Sequence, residues 1–191
     1  MTAIHELFHV LGFSPDAYKL FLDENGNRHR NPTGQYVSAS GARGTSITTP
    51  KVLAYAKQFY GCSSWDGIPL ENDGGDGSLG AHLERSMFFN ESMTSSDIKN
   101  AVVSGFTWKI MEDSGWYGEV DPNLYEPFNA GKGKGCDFKK ACFSSNNDDY
   151  FCKQGTTSRC NYAATGFGQC TNFFSENDHC EYVMANGDGD C

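Results

Sequence analysis

His5-Glu6-Leu7-Phe8-His9-Val10-Leu11-Gly12-Phe13-Ser14-Pro15 stands near the start of the chain and decides how the rest is read. Ile4, Leu7, Phe8 and Leu11 recur at helical spacing, which predicts a helix over residues 2–12 that Gly12 ends as a C-cap. Positions i and i+4 of a helix share a face, so His5 and His9 can present imidazole nitrogens to one metal ion. Glu6 sits beside the first of them, within reach of a water held there but without binding the metal itself. Hydrolysis by zinc-activated water needs these residue types at this spacing, with Glu6 as the general base. The plain alternative is a solvated helix face that carries two His and a Glu by accident, so the pattern needs context.

Catalytic zinc takes three protein ligands and leaves a position open for water. Gly12 extends the pattern to H-E-x-x-H-x-x-G, and in the commonest arrangement a third His follows three residues later. Pro15 occupies that position, so the short motif is broken and the third ligand must come from downstream. His29 lies between Arg28 and Arg30, where positive charge disfavours a metal and a surface role is expected. His179 lies among cysteines and also reads as a surface residue. His82 follows the flexible approach Gly77-Ser78-Leu79-Gly80-Ala81, and Met93 comes eleven residues later in Asn90-Glu91-Ser92-Met93-Thr94. On its own, Met93 would read as core filling. Glu71 and Glu84 read as solvated carboxylates or as groups standing behind the ligands.

In this order, these features resemble the leishmanolysin family of surface metallopeptidases, in which a long insertion separates the zinc helix from its third His. Gly12-Phe13-Ser14, Leu70 to Gly75, and Gly131 to Phe138 carry further likeness, and the resemblance runs over essentially the whole chain. It implies zinc ligands at His5, His9 and His82 (one Zn2+ per chain), catalytic acid–base chemistry at Glu6, and a tight turn with Met93 buried beneath the metal. It also implies disulfides from Cys62 to Cys136 and from Cys152 to Cys170, with the order of Cys142, Cys160, Cys180 and Cys191 open. The implied fold is α+β, mainly helical and irregular: the lower, C-terminal catalytic subdomain of a metzincin, then a small disulfide-rich lobe. Residues 1–130 would hold the zinc helix, insertion, Met-turn and following helix, and residues 131–191 the cysteine-rich lobe. Family enzymes have a large portion before the zinc helix, including a sheet whose edge strand holds extended substrate. Only four residues precede His5 here, so we expect a chain that lacks its true beginning and has weak or no peptidase activity alone.

Between these landmarks the chain alternates helix and loop. Ser14 to Thr48 is rich in turn signals and reads as loop with short hairpins, one of them around Asp23-Glu24-Asn25-Gly26. A second helix opens at Pro50 with Thr49 as N-cap, buries Val52, Ala56, Phe59 and Tyr60, and closes at Gly61. A third is predicted from a capping box at Thr94-Ser95-Ser96-Asp97, with Ile98, Val102, Phe106 and Ile110 on one face and Gly115 at its end. Asp23-x-Asn25-x-Asn27 and Asn186-x-Asp188-x-Asp190 lack the Gly and Glu of a calcium loop and read as turns. Asn90-Glu91-Ser92 matches a glycosylation acceptor, but its place beside Met93 would press a glycan against the active site, so it reads as incidental.

The net charge of −9 argues against nucleic-acid binding, which needs a basic surface. Seven of the eight cysteines fall between Cys136 and Cys191 without C-x-x-C spacing, which favours disulfides made in an oxidising compartment over a second zinc site. The expected location is therefore extracellular or the cell surface, although residues 1–13 have no signal-peptide character. No apolar run reaches transmembrane length. Protein or peptide substrates are expected, with a monomeric chain and membrane-surface association in the full-length protein. Two functions compete: a zinc endopeptidase, and a secreted or surface adhesion module that keeps the zinc-site residues. The intact Glu6 favours the first, since a purely structural zinc has no use for a general base.

Overall fold

The computed structural model describes residues 2–38, 40–75, 77–96, 100–143, 149–153, 158–172, 178, 180–185 and 191. Among the described residues, short helices alternate with the strands of two small sheets. In order, they are α1 (Thr2–Leu11), α2 (Pro15–Tyr18), β1 (Thr33–Val37), β2 (Arg43–Ile47), α3 (Pro50–Tyr60), β3 (Ile68–Pro69), α4 (Arg85–Phe88) and α5 (Gly105–Asp113). β4 (Arg159–Cys160), β5 (Phe167–Thr171) and β6 (Tyr182–Ala185) follow. Each sheet is antiparallel with its strands in sequence order. The chain is thus mixed α and β, with more sheet than the sequence announces. The β1–β2 hairpin falls in the Ser14 to Thr48 stretch, read as loop with short hairpins, and Tyr36, Thr45 and Ile47 supply its strand-forming side chains between the glycines.

α3 buries Val52, Ala56, Phe59 and Tyr60, the four residues its periodicity picks out, and Gly61 closes it in the left-handed region. Its N-terminus is capped differently from the sequence expectation. The Thr49 side chain makes no cap bond. Instead Asp113, from the end of α5, accepts from Lys51 N at 3.0 Å and Val52 N at 2.8 Å. One carboxylate thereby satisfies two orphan N–H groups and fastens α5 to α3.

The third helix begins at Gly105, not near Thr94. Ser104 is its N-cap, with Oγ accepting from Phe106 N. Thr94 is engaged elsewhere: its hydroxyl donates to Glu91 O at 2.9 Å, and its backbone bridges to Leu83. Val102 likewise pairs with Glu91 in a bridge. The apparent helical period from Val102 onward therefore mixes extended and helical backbone, and Asp97 and Ile98 of the expected capping box and helix lie outside the described residues.

The core is aromatic. Phe59, Tyr60, Phe88, Phe106, Phe128 and Phe138 meet in edge and stacked contacts with centroids 5.0–6.1 Å apart. Cys62–Cys136 closes a separation of 74 residues beside this cluster, and a loop of that size stabilises by roughly 4 kcal/mol in the chain-entropy picture. Cys142–Cys180, Cys152–Cys170 and Cys160–Cys191 staple the tail, so all eight cysteines are paired.

Asp178 carries the tail onto the insertion. Its carboxylate accepts from Ser40 Oγ at 3.2 Å, Asn72 Nδ2 at 3.2 Å and Ser86 Oγ at 3.4 Å. Asp178→Ala removes these three hydrogen bonds and is expected to lower the unfolding free energy by about 1–3 kcal/mol. The readout is a lower urea midpoint; an unchanged midpoint would mean that the disulfides alone hold the tail in place.

Candidate metal centre

α1 sets the first two imidazoles one turn apart, and Gly12 sets their surroundings. Its φ of +131° is open to glycine, and a Cβ there would meet the Trp116 ring at 2.7 Å. The turn brings the Phe13 carbonyl back to His9, which donates from Nδ1 at 2.8 Å. Of the apolar residues on α1, only Phe8 is buried, while Ile4, Leu7, Val10 and Leu11 face outward. The helix therefore rests on the body through Phe8 and its histidines rather than through a full apolar stripe.

The insertion delivers His82 by backbone pairing. β3 continues into Leu70, which bridges Leu83; Glu71 N donates to His82 O at 2.9 Å and Leu83 N to Met93 O at 2.7 Å. His82 is thus held between two extended segments rather than hung on a free loop. Its Nε2 lies 3.2 Å from both His5 Nε2 and His9 Nε2, and the latter two are 3.0 Å apart. Among the described residues, these three are the group of His, Cys, Asp or Glu side chains close enough to share a metal ion.

Every Nδ1 in the cluster faces a backbone carbonyl: His5 that of Ser92 at 2.6 Å, His9 that of Phe13, and His82 that of Ser78 at 3.2 Å. A carbonyl only accepts, so each Nδ1 is the donor of its pair, and each ring turns its Nε2 inward toward the other two. Three inward-facing Nε2 atoms at this spacing are placed to share one cation. Burial, reinforced by the neighbouring His9 and His5, holds the His82 imidazole down to about 4, so at neutral pH it is an uncharged donor.

Glu6 is exposed on α1, and its carboxylate acts electrostatically on His82, opposing that downward shift. Met93 is fully buried directly after Ser92. His29 is half-buried in the turn paired through Leu22 and Arg28, away from the cluster. His179 and the Asn186–Asp190 motif lie outside the described residues. Asp23 Oδ1 accepts from the N–H groups of Asn25 and Asn27, so the first calcium-like motif is a turn.

Glu71 and Glu84 are not solvated: they are 1% and 0% exposed. Burial first, and their mutual charge second for Glu84, pushes both carboxyls up. Glu91 is missed altogether by sequence reasoning and is equally buried. Its Oε1 accepts from Ser104 N, Ser104 Oγ and Thr107 Oγ1, and its Oε2 from Met93 N. Burial pushes its carboxyl up while these donors hold it down. The available signal was its position between two residues already singled out, Asn90 and Met93.

A small mixed α/β chain stapled by disulfides, with three converging imidazoles, defines a candidate metal-binding site. Sequence comparison takes this further. The profile of the leishmanolysin family matches residues 1–185. Leishmanolysin-like peptidases of Caenorhabditis briggsae and Caenorhabditis elegans are each 34% identical over 172 residues, covering 74% of this chain and 26% of theirs. The ciliated left-right organizer metallopeptidase of Danio rerio is 28% identical over 190 residues, covering 97% of this chain and 30% of its own. The chain belongs to the leishmanolysin family, a family of metallopeptidases. It spans about a quarter of the length of the curated relatives it matches.

Proposed function

We propose that this chain carries the catalytic centre of a zinc-dependent endopeptidase, with His5, His9 and His82 as the ligands and Glu6 as the general base. In this reading, residues 1–130 are the lower subdomain of a metzincin-type unit with its Met-turn at Met93, and residues 131–191 are a cysteine-rich C-terminal lobe that shares its core. The observation that carries the proposal is the inward convergence of three Nε2 atoms, each opposite an Nδ1 tied to a carbonyl. Their separations of 3.0–3.2 Å suit tetrahedral zinc, for which Zn–N bonds of about 2.0–2.1 Å imply roughly 3.3 Å between ligand atoms. The all-imidazole donor set suits zinc better than magnesium or calcium, which prefer oxygen.

Bound zinc supplies Lewis acidity, lowering the pKa of water to about 7 and polarising a carbonyl. The residues do the rest. The Ser92, Phe13 and Ser78 carbonyls keep the three rings in one tautomer and one orientation, so the site is organised before substrate arrives. The Glu6 carboxylate takes the proton from the attacking water and returns it to the leaving amide nitrogen. Exposure of Glu6 and partial exposure of His5 and His9 leave this face open to an extended protein or peptide substrate. The four disulfides support an extracellular or cell-surface setting. Among the described residues, no helix is long and apolar enough to cross a membrane.

Zinc titration tests the ligand set. One zinc per chain is expected, and His82→Ala should weaken its affinity by at least about 100-fold, more than the loss of a group that merely orients a ligand. Unchanged stoichiometry and affinity in His82→Ala would remove His82 from the site.

A further inference from the structure

Asn90-Glu91-Ser92 is the single Asn-x-Ser/Thr acceptor in the chain, because Pro32 spoils Asn31-Pro32-Thr33. Read linearly, it adjoins Met93, and a sugar there would crowd the histidines. Folding separates the two. Asn90 is half-buried just after α4, and its side chain faces Asn100 and Tyr162. Nδ2 donates to Asn100 O at 3.2 Å, and Oδ1 accepts from the Tyr162 hydroxyl. Asn90 lines an open cavity of about 290 Å³ with Pro127, Asn129, Asp149, Tyr150 and Tyr162 among its walls. None of these belongs to the histidine cluster or to the carbonyls that orient it. Glu91 and Ser92 point the other way, into the body of the protein, with 1% and 6% exposure.

Ser92 adds an independent observation. Its hydroxyl is buried and has no hydrogen-bond partner among the described residues. A buried hydroxyl left unpaired costs roughly 1–3 kcal/mol, which Ala at this position would avoid. Among the described residues no hydrogen bond engages this hydroxyl, so its use in recognition of the segment by a glycosyl transferase conflicts with no bond of the fold.

We propose that Asn90 is an N-glycosylation site whose first sugar residue occupies the cavity beside Tyr150 and Tyr162. The two tyrosine rings lie 5.4 Å apart and present apolar faces with polar tips, a surface suited to the mixed C–H and hydroxyl faces of an N-acetylhexosamine. Transfer joins Asn90 Nδ2 to the anomeric carbon of an oligosaccharide carried on a lipid diphosphate. The C–N bond forms, the C–O bond to the diphosphate breaks, the lipid diphosphate leaves with the electron pair, and one Nδ2 proton passes to a base of the transferase. The product retains the carbonyl oxygen and one N–H, so both hydrogen bonds of Asn90 can persist. The four disulfides put the chain in an oxidising secretory setting, where this modification takes place.

Peptide mapping of the full chain secreted from cultured animal cells tests the assignment, before and after an amidase that removes N-linked glycans and converts the acceptor asparagine to aspartate. In the wild type, the peptide containing residue 90 is expected to be missing at its unmodified mass and to reappear after treatment with aspartate at that position. Ser92→Ala removes no hydrogen bond made among the described residues and should return the peptide to unmodified Asn90; Ser92→Thr should restore the modification. Recovery of wild-type Asn90 only in unmodified form overturns the proposal, and so does persistence of the mark in Ser92→Ala.

Discussion

Glu6→Gln is expected to lower kcat for peptide hydrolysis by about 10²–10⁴-fold, the range that a positioned general base supplies, while one zinc per chain is retained. Gln keeps the size and hydrogen-bonding reach of Glu but cannot take a proton. Glu6 follows His5 on α1 and faces solvent close enough to bear on the charge state of His82, while no ligand role falls to it. The loss should therefore fall on kcat with KM little changed, because a group that acts on the proton in the transition state contributes little to ground-state binding. Measured on the full-length protein with a peptide substrate, with zinc content determined on the same sample, the variant separates lost chemistry from lost metal. Full activity in Glu6→Gln would transfer the base role to another residue.

Glu91→Ala should destabilise the protein by about 3–5 kcal/mol, the scale of stranding several buried donors at once. One carboxylate gathers the backbone N–H of Met93, the N–H and hydroxyl of Ser104, and the Thr107 hydroxyl. It therefore joins the turn over Ser92 and Met93 to the first turn of α5. Because the Ser92 carbonyl orients His5, the damage should spread to the metal centre, and zinc affinity should fall together with the urea midpoint. Glu91→Gln retains one acceptor oxygen for the Ser104 and Thr107 donors but turns an NH2 toward Met93 N, so its midpoint should lie between wild type and Ala. An unfolding free energy of Glu91→Ala within about 1 kcal/mol of wild type, the ordinary size of a point-mutant effect, would show that water or repacking takes over the four donors.

The features legible in the sequence are those whose causes lie within a few residues of one another. The i, i+4 spacing of His5 and His9, the buried face of α3 and its Gly61 cap all depend on one helical period and one local stop signal. His82 was reached by a resemblance and by the failure of the short motif at Pro15, and the structure brings it to the other two imidazoles through pairing of Leu70 with Leu83. The start of α5 departs from the local sequence signal because residues near Thr94 offer a plausible cap, whereas Glu91 and Leu83 claim that segment for extended pairing.

Tertiary structure alone decided which carboxylates are buried. Glu71, Glu84 and Glu91 look like ordinary polar residues in a linear reading, yet each is desolvated and held by backbone and side-chain donors. It also decided that Asp113, not Thr49, caps α3, and that Asn90 faces a tyrosine-lined cavity rather than the histidines. By itself the sequence determined the His5 and His9 pair and the helical frame that presents it, because a period of 3.6 residues is written in contiguous side chains. The third imidazole, the carbonyls that fix the tautomers and the carboxylate under the turn come from positions up to 87 residues apart. Only closure of the whole chain brings these groups within hydrogen-bonding distance, and no local pattern encodes that closure.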